Sequence, residues 1–196
     1  MPATVSLTIA GRKRKRGDGE EANDTESAIL LLEQQILESR KNYNRIVTLL
    51  DYAKNPEPQQ VNTSSTLAFV ALCRVFSKLI ALGNLSKTRQ TPENEAAITQ
   101  WLNERYADFK AILLKVLTEN DISRQSTALA LLIRLVKADA EHLNLSEESI
   151  WRNSTFASVL EALVRSETAA DARAEFTYKY VKELGDVRFH TYACLR

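Results

Sequence analysis

The sequence predicts an all-α fold of helical hairpins behind a disordered N-terminal tail. Three observations carry this. From Thr25 almost to Arg196, apolar residues recur at three- and four-residue spacing, the pattern of amphipathic helices. No segment alternates polar and apolar residues long enough to read as a strand. Beyond residue 25, glycine and proline stand between the periodic segments and not inside them.

The elements follow in order. Residues 1–24 hold three of the five glycines, a block of each charge sign and few large apolar groups, so they are expected to be a disordered tail. The helical domain is expected over 25–196. Its first helix places Ile29, Leu32, Ile36, Tyr43, Ile46, Val47, Leu50 and Ala53 on one face, with a break near Ser39. Pro56 and Pro58 stop it, because proline lacks the N–H and restricts the residue before it. A second helix runs from about Thr63 to Leu82 and ends at Gly83, a natural left-handed cap. Pro92 opens the third at its first helical position, where the missing N–H costs nothing, and the helix runs to about Leu117. Asp121 or Ser123 opens the fourth, to about Leu143. A fifth is carried by NSTFASVLEALVRS and a sixth by TAADARAEFTYKYVKEL, closed by Gly185; Asp186 starts a seventh. In that last helix Val187, Phe189, Tyr192 and Leu195 are spaced to seek apolar neighbours, so an uncovered apolar end is expected there.

A weak self-match joins residues 65–86 to 125–146, an offset of 60 residues. Ala68 and Ala128, Leu72 and Leu132, and Arg74 and Arg134 coincide, as do two Asn-Leu-Ser triplets. Two helical hairpins of roughly 30 residues each would produce that offset in a repeat protein, and so would compositional chance.

Charge and composition exclude several functions. The net charge is +1; without the five basic residues Arg12–Arg16, 21 basic residues face 25 acidic ones, a net of −4. The body is therefore not a basic nucleic-acid binder in bulk. No run of about 18 residues is apolar and free of charges, which argues against a membrane span. The weakly apolar start followed by basic residues is the reverse of a secretory leader. Cys73 and Cys194 are accordingly expected to be reduced thiols and the five Asn-x-Ser/Thr sites to be unglycosylated, several of them helix-boundary residues. A phosphate-cradling loop needs clustered glycines, and only Gly83 and Gly185 lie outside the tail, so no nucleotide cofactor is expected. His142 and His190 are far apart and each cysteine is isolated, so no metal site and no catalytic constellation is expected.

Two basic-aromatic clusters and one basic run remain. Arg40, Lys41, Tyr43 and Arg45 fall within two turns, as do Tyr178, Lys179, Tyr180 and Lys182. Stacking rings beside cations can hold single-stranded RNA, but a solvated helix face with half-buried tyrosines gives the same pattern and is the favoured reading. Trp101 and Trp151 are read as core anchors, and Cys73 as core filling. Arg12, Lys13, Arg14, Lys15 and Arg16 read as a nuclear localisation signal; the nearby Asp18, Glu20 and Glu21 would weaken phosphate binding.

The segments ESRKNYNRIVTLLDYA (38–53), FVALCRVFSKLIALGNLS (69–86), ITQWLNERYADFKAILLKVL (98–117) and EFTYKYVKELGDVRF (175–189), in that order, resemble the N-terminal part of the nucleolar complex protein 4 family over about residues 27–190. No single segment is a signature; the series carries the resemblance. It implies helical hairpins stacked in a HEAT-like solenoid with no catalytic activity or cofactor. It further implies a scaffold role in small ribosomal subunit assembly within the nucleolus. The partners implied are nucleolar protein 14 and other small-subunit precursor factors. Members of that family continue into a C-terminal region named after CCAAT-binding factor, with which the main partner interaction is associated, so a truncated form is expected here. The alternatives are a helical adaptor of another nuclear complex and an RNA-binding module using Arg40, Lys41, Tyr43, Arg45, Lys179 and Lys182; an enzyme ranks last.

Overall fold

The structure, a computed structural model, describes residues 18–54, 63–86, 92–143, 151 and 154–195. Eight α-helices account for most of them: α1 Asp18–Glu38, α2 Arg45–Lys54, α3 Thr63–Ala81, α4 Glu93–Leu117, α5 Ile122–His142, α6 Thr155–Arg165, α7 Ala170–Phe176 and α8 Gly185–Cys194. No strand occurs among the described residues. The basic run Arg12–Arg16 lies outside them.

Local chemistry explains the boundaries. The break after α1 falls at Ser39, whose hydroxyl accepts from the Lys41 N–H at 3.4 Å and starts a short 3-10 turn, Arg40–Asn42. The Asn42 amide then donates to the Gln35 carbonyl at 2.9 Å, satisfying a group left open by the helix end. Gly83 takes φ 74° after α3. Its N–H bonds the Ile80 carbonyl at 2.9 Å, while the Asn84 N–H reaches back to Leu79 at 3.0 Å. This pair of bonds needs a left-handed residue at Gly83. Asp121 caps α5 through the Arg124 N–H at 3.0 Å, and Ser154 caps α6 through the Phe156 N–H at 3.1 Å.

The helices form two layers. Helix α2 packs on α4 and α4 on α6, with α8 beside α6; α1 packs on α3, α3 on α5 and α5 on α7. Each layer is tied to the other by the hairpins α2–α3, α4–α5 and α6–α7. That is a helical solenoid, in which a hairpin buries its open side only against the next one. Helix α3 is the central element. Its segment Ser64–Ala81 has a mean hydropathy of 1.5, long and apolar enough to cross a membrane by composition alone, yet 61% of it is buried inside the fold. Phe76 on α3 stacks on Phe109 of α4 at 5.7 Å and tilts against Tyr106 at 5.1 Å, joining the first two hairpins. Phe156 and Phe176, with ring centres 6.4 Å apart, join the two helices of the third.

Four expectations are corrected. The 60-residue offset is one repeat, not two: α3 and α5 are successive helices of one layer, and Ala68, Leu72, Ala128 and Leu132 are all fully buried. Long helices account for most of that repeat: α4 has 25 residues and α5 has 21. Pro92 is the residue before α4, with φ −56° and ψ 150°, and Glu93 is the first helical one. Gly185 opens α8 instead of closing the preceding helix; Leu184, extended at φ −111°, makes that break. The sixth helix starts at Ala170 and continues from Phe176 into a π-helical turn, Thr177–Val181. In addition, α1 starts at Asp18, within the stretch assigned to the tail.

Candidate interaction surface

The two basic-aromatic clusters have different fates. In the first, Tyr43 is only 8% exposed, and burial raises the pKa of its phenol against the opposing pull of Arg40. Its hydroxyl accepts from the Asn84 amide at 3.2 Å. Arg40 donates to the Asn84 oxygen at 3.1 Å and sits 3.8 Å from Glu95, so it bridges α1–α2, the α3 cap and α4. Arg45 donates to Gln35 Oε1. Lys41 and Arg45 are both exposed. Tyr43 is thus folded inward at a structural corner with no ring face to offer a base, while Arg40, Lys41 and Arg45 stay exposed.

The second cluster stays open. It occupies the π-helical turn, where Tyr178 is 66% exposed with the Lys182 ammonium 5.1 Å above its ring. Lys179 is held by Glu175 at 2.6 Å, which raises the lysine pKa and lowers that of the glutamate. Tyr180 is half-buried against Phe176, ring centres 5.8 Å apart.

Beside it lies the barest apolar surface of the described chain. On α8, Val187 and Thr191 turn inward, while Phe189, Tyr192 and Leu195 are 68%, 60% and 54% exposed. Between α6 and α8 runs an open groove of about 630 Å³ lined by apolar residues such as Leu160, Val164 and Leu195 and by the ion pair Glu161–Arg165 at 2.7 Å. The inner side of α8 is firmly seated. His190 stacks on Trp151 at 4.2 Å and the Cys194 thiol points to the Trp151 carbonyl at 3.4 Å. An exposed apolar face of this kind is surface that a neighbouring helix or a partner can cover. The charges along this stretch are mixed: Lys182, Glu183, Asp186 and Arg188 are all exposed, which suits a protein more than a polyanion.

No cluster of three His, Cys, Asp or Glu side chains that could hold a metal ion occurs among the described residues. Cys73 is buried and its thiol pKa is raised by that burial, the opposite of an activated nucleophile.

One group of polar residues escaped the sequence reading. Asp139 is the one charged side chain in the buried core among the described residues. It accepts from the Tyr106 hydroxyl at 2.8 Å, and the Lys110 ammonium lies 4.2 Å above the Tyr106 ring. Burial is the largest influence on both charges, raising the Asp139 pKa and lowering that of Lys110, and their mutual attraction only partly opposes it. The signal was present in α5: Gln125, Ala128, Leu132, Leu135 and Asp139 recur at three and four residues, so a carboxylate sits on the apolar stripe.

Stacked helical hairpins define a helical-repeat protein. The chain belongs to the family described as nucleolar complex protein 4-like, TPR repeats, whose model matches residues 18–196. It is 28% identical over 166 residues to an uncharacterized protein of Schizosaccharomyces pombe, covering 82% of this chain and 33% of that relative. The chain thus spans about a third of the relative's length. No solved structure matches it.

Proposed function

We propose that this chain is a non-enzymatic scaffold in nucleolar biogenesis of the small ribosomal subunit, serving rRNA processing and assembly of the 40S precursor. The observation that carries this is family membership over residues 18–196. The uncovered face of α8 beside the α6–α8 groove supports a role in protein docking. In this reading Arg12–Arg16 delivers the protein to the nucleus, it concentrates in the nucleolus, and nucleolar protein 14 is its main partner within the small-subunit precursor particle. Depleting the protein in cells should lower the small subunit and accumulate unprocessed small-subunit rRNA, leaving the large subunit intact. A deficit confined to the large subunit, or none in either, would overturn the reading.

A second reading, direct contact with pre-rRNA, is favoured by one observation, the exposed Tyr178 with Lys182 over its ring. Affinity for single-stranded RNA measured across a salt series separates the two. Binding through several phosphates weakens steeply as salt rises, whereas a packed protein interface does not.

A further inference from the structure

The 60-residue repeat places Arg74 of α3 and Arg134 of α5 at the same position of successive helices in one layer. Both are exposed. Their partners differ. The Arg74 guanidinium forks onto Glu33 of α1, the preceding helix of that layer, with Nε donating to Oε1 at 2.7 Å and Nη2 to Oε2 at 2.6 Å. Two parallel bonds of this kind hold a carboxylate in one plane and one orientation. Arg134 has no such clamp among the described residues. Beside it α3 offers Ser77, whose buried hydroxyl has no hydrogen-bond partner beyond the Cys73 thiol one turn earlier. In place of the clamp lies an open pocket of about 530 Å³. Its walls are Ser77 of α3, Ile133, Arg134, Lys137 and Glu141 of α5, and Tyr180 of the π-helical turn. Lys137 already has a carboxylate, since Glu141 lies 3.7 Å from it, and His142 at the rim lies 4.0 Å from the same group. Arg134 is therefore the uncommitted cation of the pocket among the described residues.

We propose that this pocket docks an acidic segment of a partner protein, with Arg134 taking a glutamate or aspartate carboxylate as Arg74 takes Glu33. The lining selects that ligand. One guanidinium fork matches one carboxylate, and Ser77 adds a hydroxyl that can donate to it. A nucleic-acid backbone is held by several cations in a row, whereas here a carboxylate, Glu141, stands inside the pocket and repels a polyanion. Ile133 and Tyr180 supply apolar surface beside the cation, which suits an apolar residue next to the acidic one. Helix α1 delivers Glu33 in that way, with Leu32 and Ile36 packed on the core beside it. Nothing in this chemistry depends on the nucleolar role.

Fluorescence anisotropy on the purified whole chain tests this with three labelled probes: a peptide alternating glutamate and leucine, the same peptide with glutamine for glutamate, and a single-stranded oligouridylate. The expected result is saturable binding of the acidic peptide, tighter than either other probe by about tenfold or more, the size of one charge-assisted clamp. Arg134→Gln should weaken that binding by about the same factor. Arg188→Gln, the same change at an exposed position of α8, should leave it unchanged. Ser77→Glu supplies from α3 the carboxylate that this repeat lacks and should close the pocket to the peptide. Circular dichroism checks that each variant keeps its helices; Arg134→Gln, at an exposed position, carries the test should Ser77→Glu unfold. No saturable binding of the acidic peptide, equal binding of its glutamine form, or unchanged affinity in Arg134→Gln would each overturn the proposal. A preference for the oligouridylate that Arg134→Gln abolishes would make the pocket a phosphate site and overturn it equally.

Discussion

Replacing Phe76 by alanine tests whether α3 is the spine of the solenoid. The ring is fully buried, and it touches both Phe109 and Tyr106 of the next hairpin at centroid distances of 5.7 and 5.1 Å. A buried Phe→Ala change costs about 3–5 kcal/mol from lost transfer energy and the cavity it leaves. Two aromatic neighbours, each worth about 0.5–1.5 kcal/mol beyond area, place this site toward the upper end. For a chain of this size about 2–4 °C of melting temperature follows each kcal/mol, so the expected drop is about 10–20 °C. The control is Phe189→Ala, the same chemical change on an exposed ring of α8. It should move the midpoint by no more than about 2 °C, as surface substitutions stay within about 0.5 kcal/mol. Circular dichroism melts of the two variants, with urea titrations as a second measure, decide it. Equal losses would refute the layer assignment, because they would require Phe189 to be packed as Phe76 is.

Two further outcomes are expected. Asp139 has a raised pKa in the folded chain, so its contribution favours folding most below the ordinary carboxylate range and is lost as pH rises through the raised value. Asp139→Asn should remove that decline, and a stability–pH profile between pH 3.5 and 7 that is identical in the two proteins would contradict it. A fluorescent fusion of residues 1–24 should enter the nucleus and lose entry when Arg12–Arg16 are replaced by alanine; import of the alanine form at the same level would dismiss the signal.

Much of the molecule is set by sequence alone, wherever the cause is local. The periodic apolar spacing sets which stretches are helical and most of the buried face, though Val47, read onto that face, is exposed and Leu49 takes its place. The left-handed turn at Gly83, the Asp121 cap and the break at Ser39 each depend on residues within a few positions of one another. The similarity of α3 to α5 was visible too, because equivalent places in a stack meet equivalent surroundings: Leu72 and Leu132 are both fully buried. Tertiary structure decided the rest, since it depends on which helices become neighbours. The two basic-aromatic clusters look alike along the chain. Only the approach of Asn84, more than 40 residues away, shows that Tyr43 turns inward, whereas Tyr178 stays exposed with Lys182 over its ring. The spacing of Val187, Phe189, Tyr192 and Leu195 allowed all four a packed role, but among the described residues only Val187 of the four is buried. Asp139 stood on an apolar stripe in plain view; its meaning waited for Tyr106 and Lys110, some 30 residues earlier in the chain, because a buried charge is intelligible only with the groups that meet it.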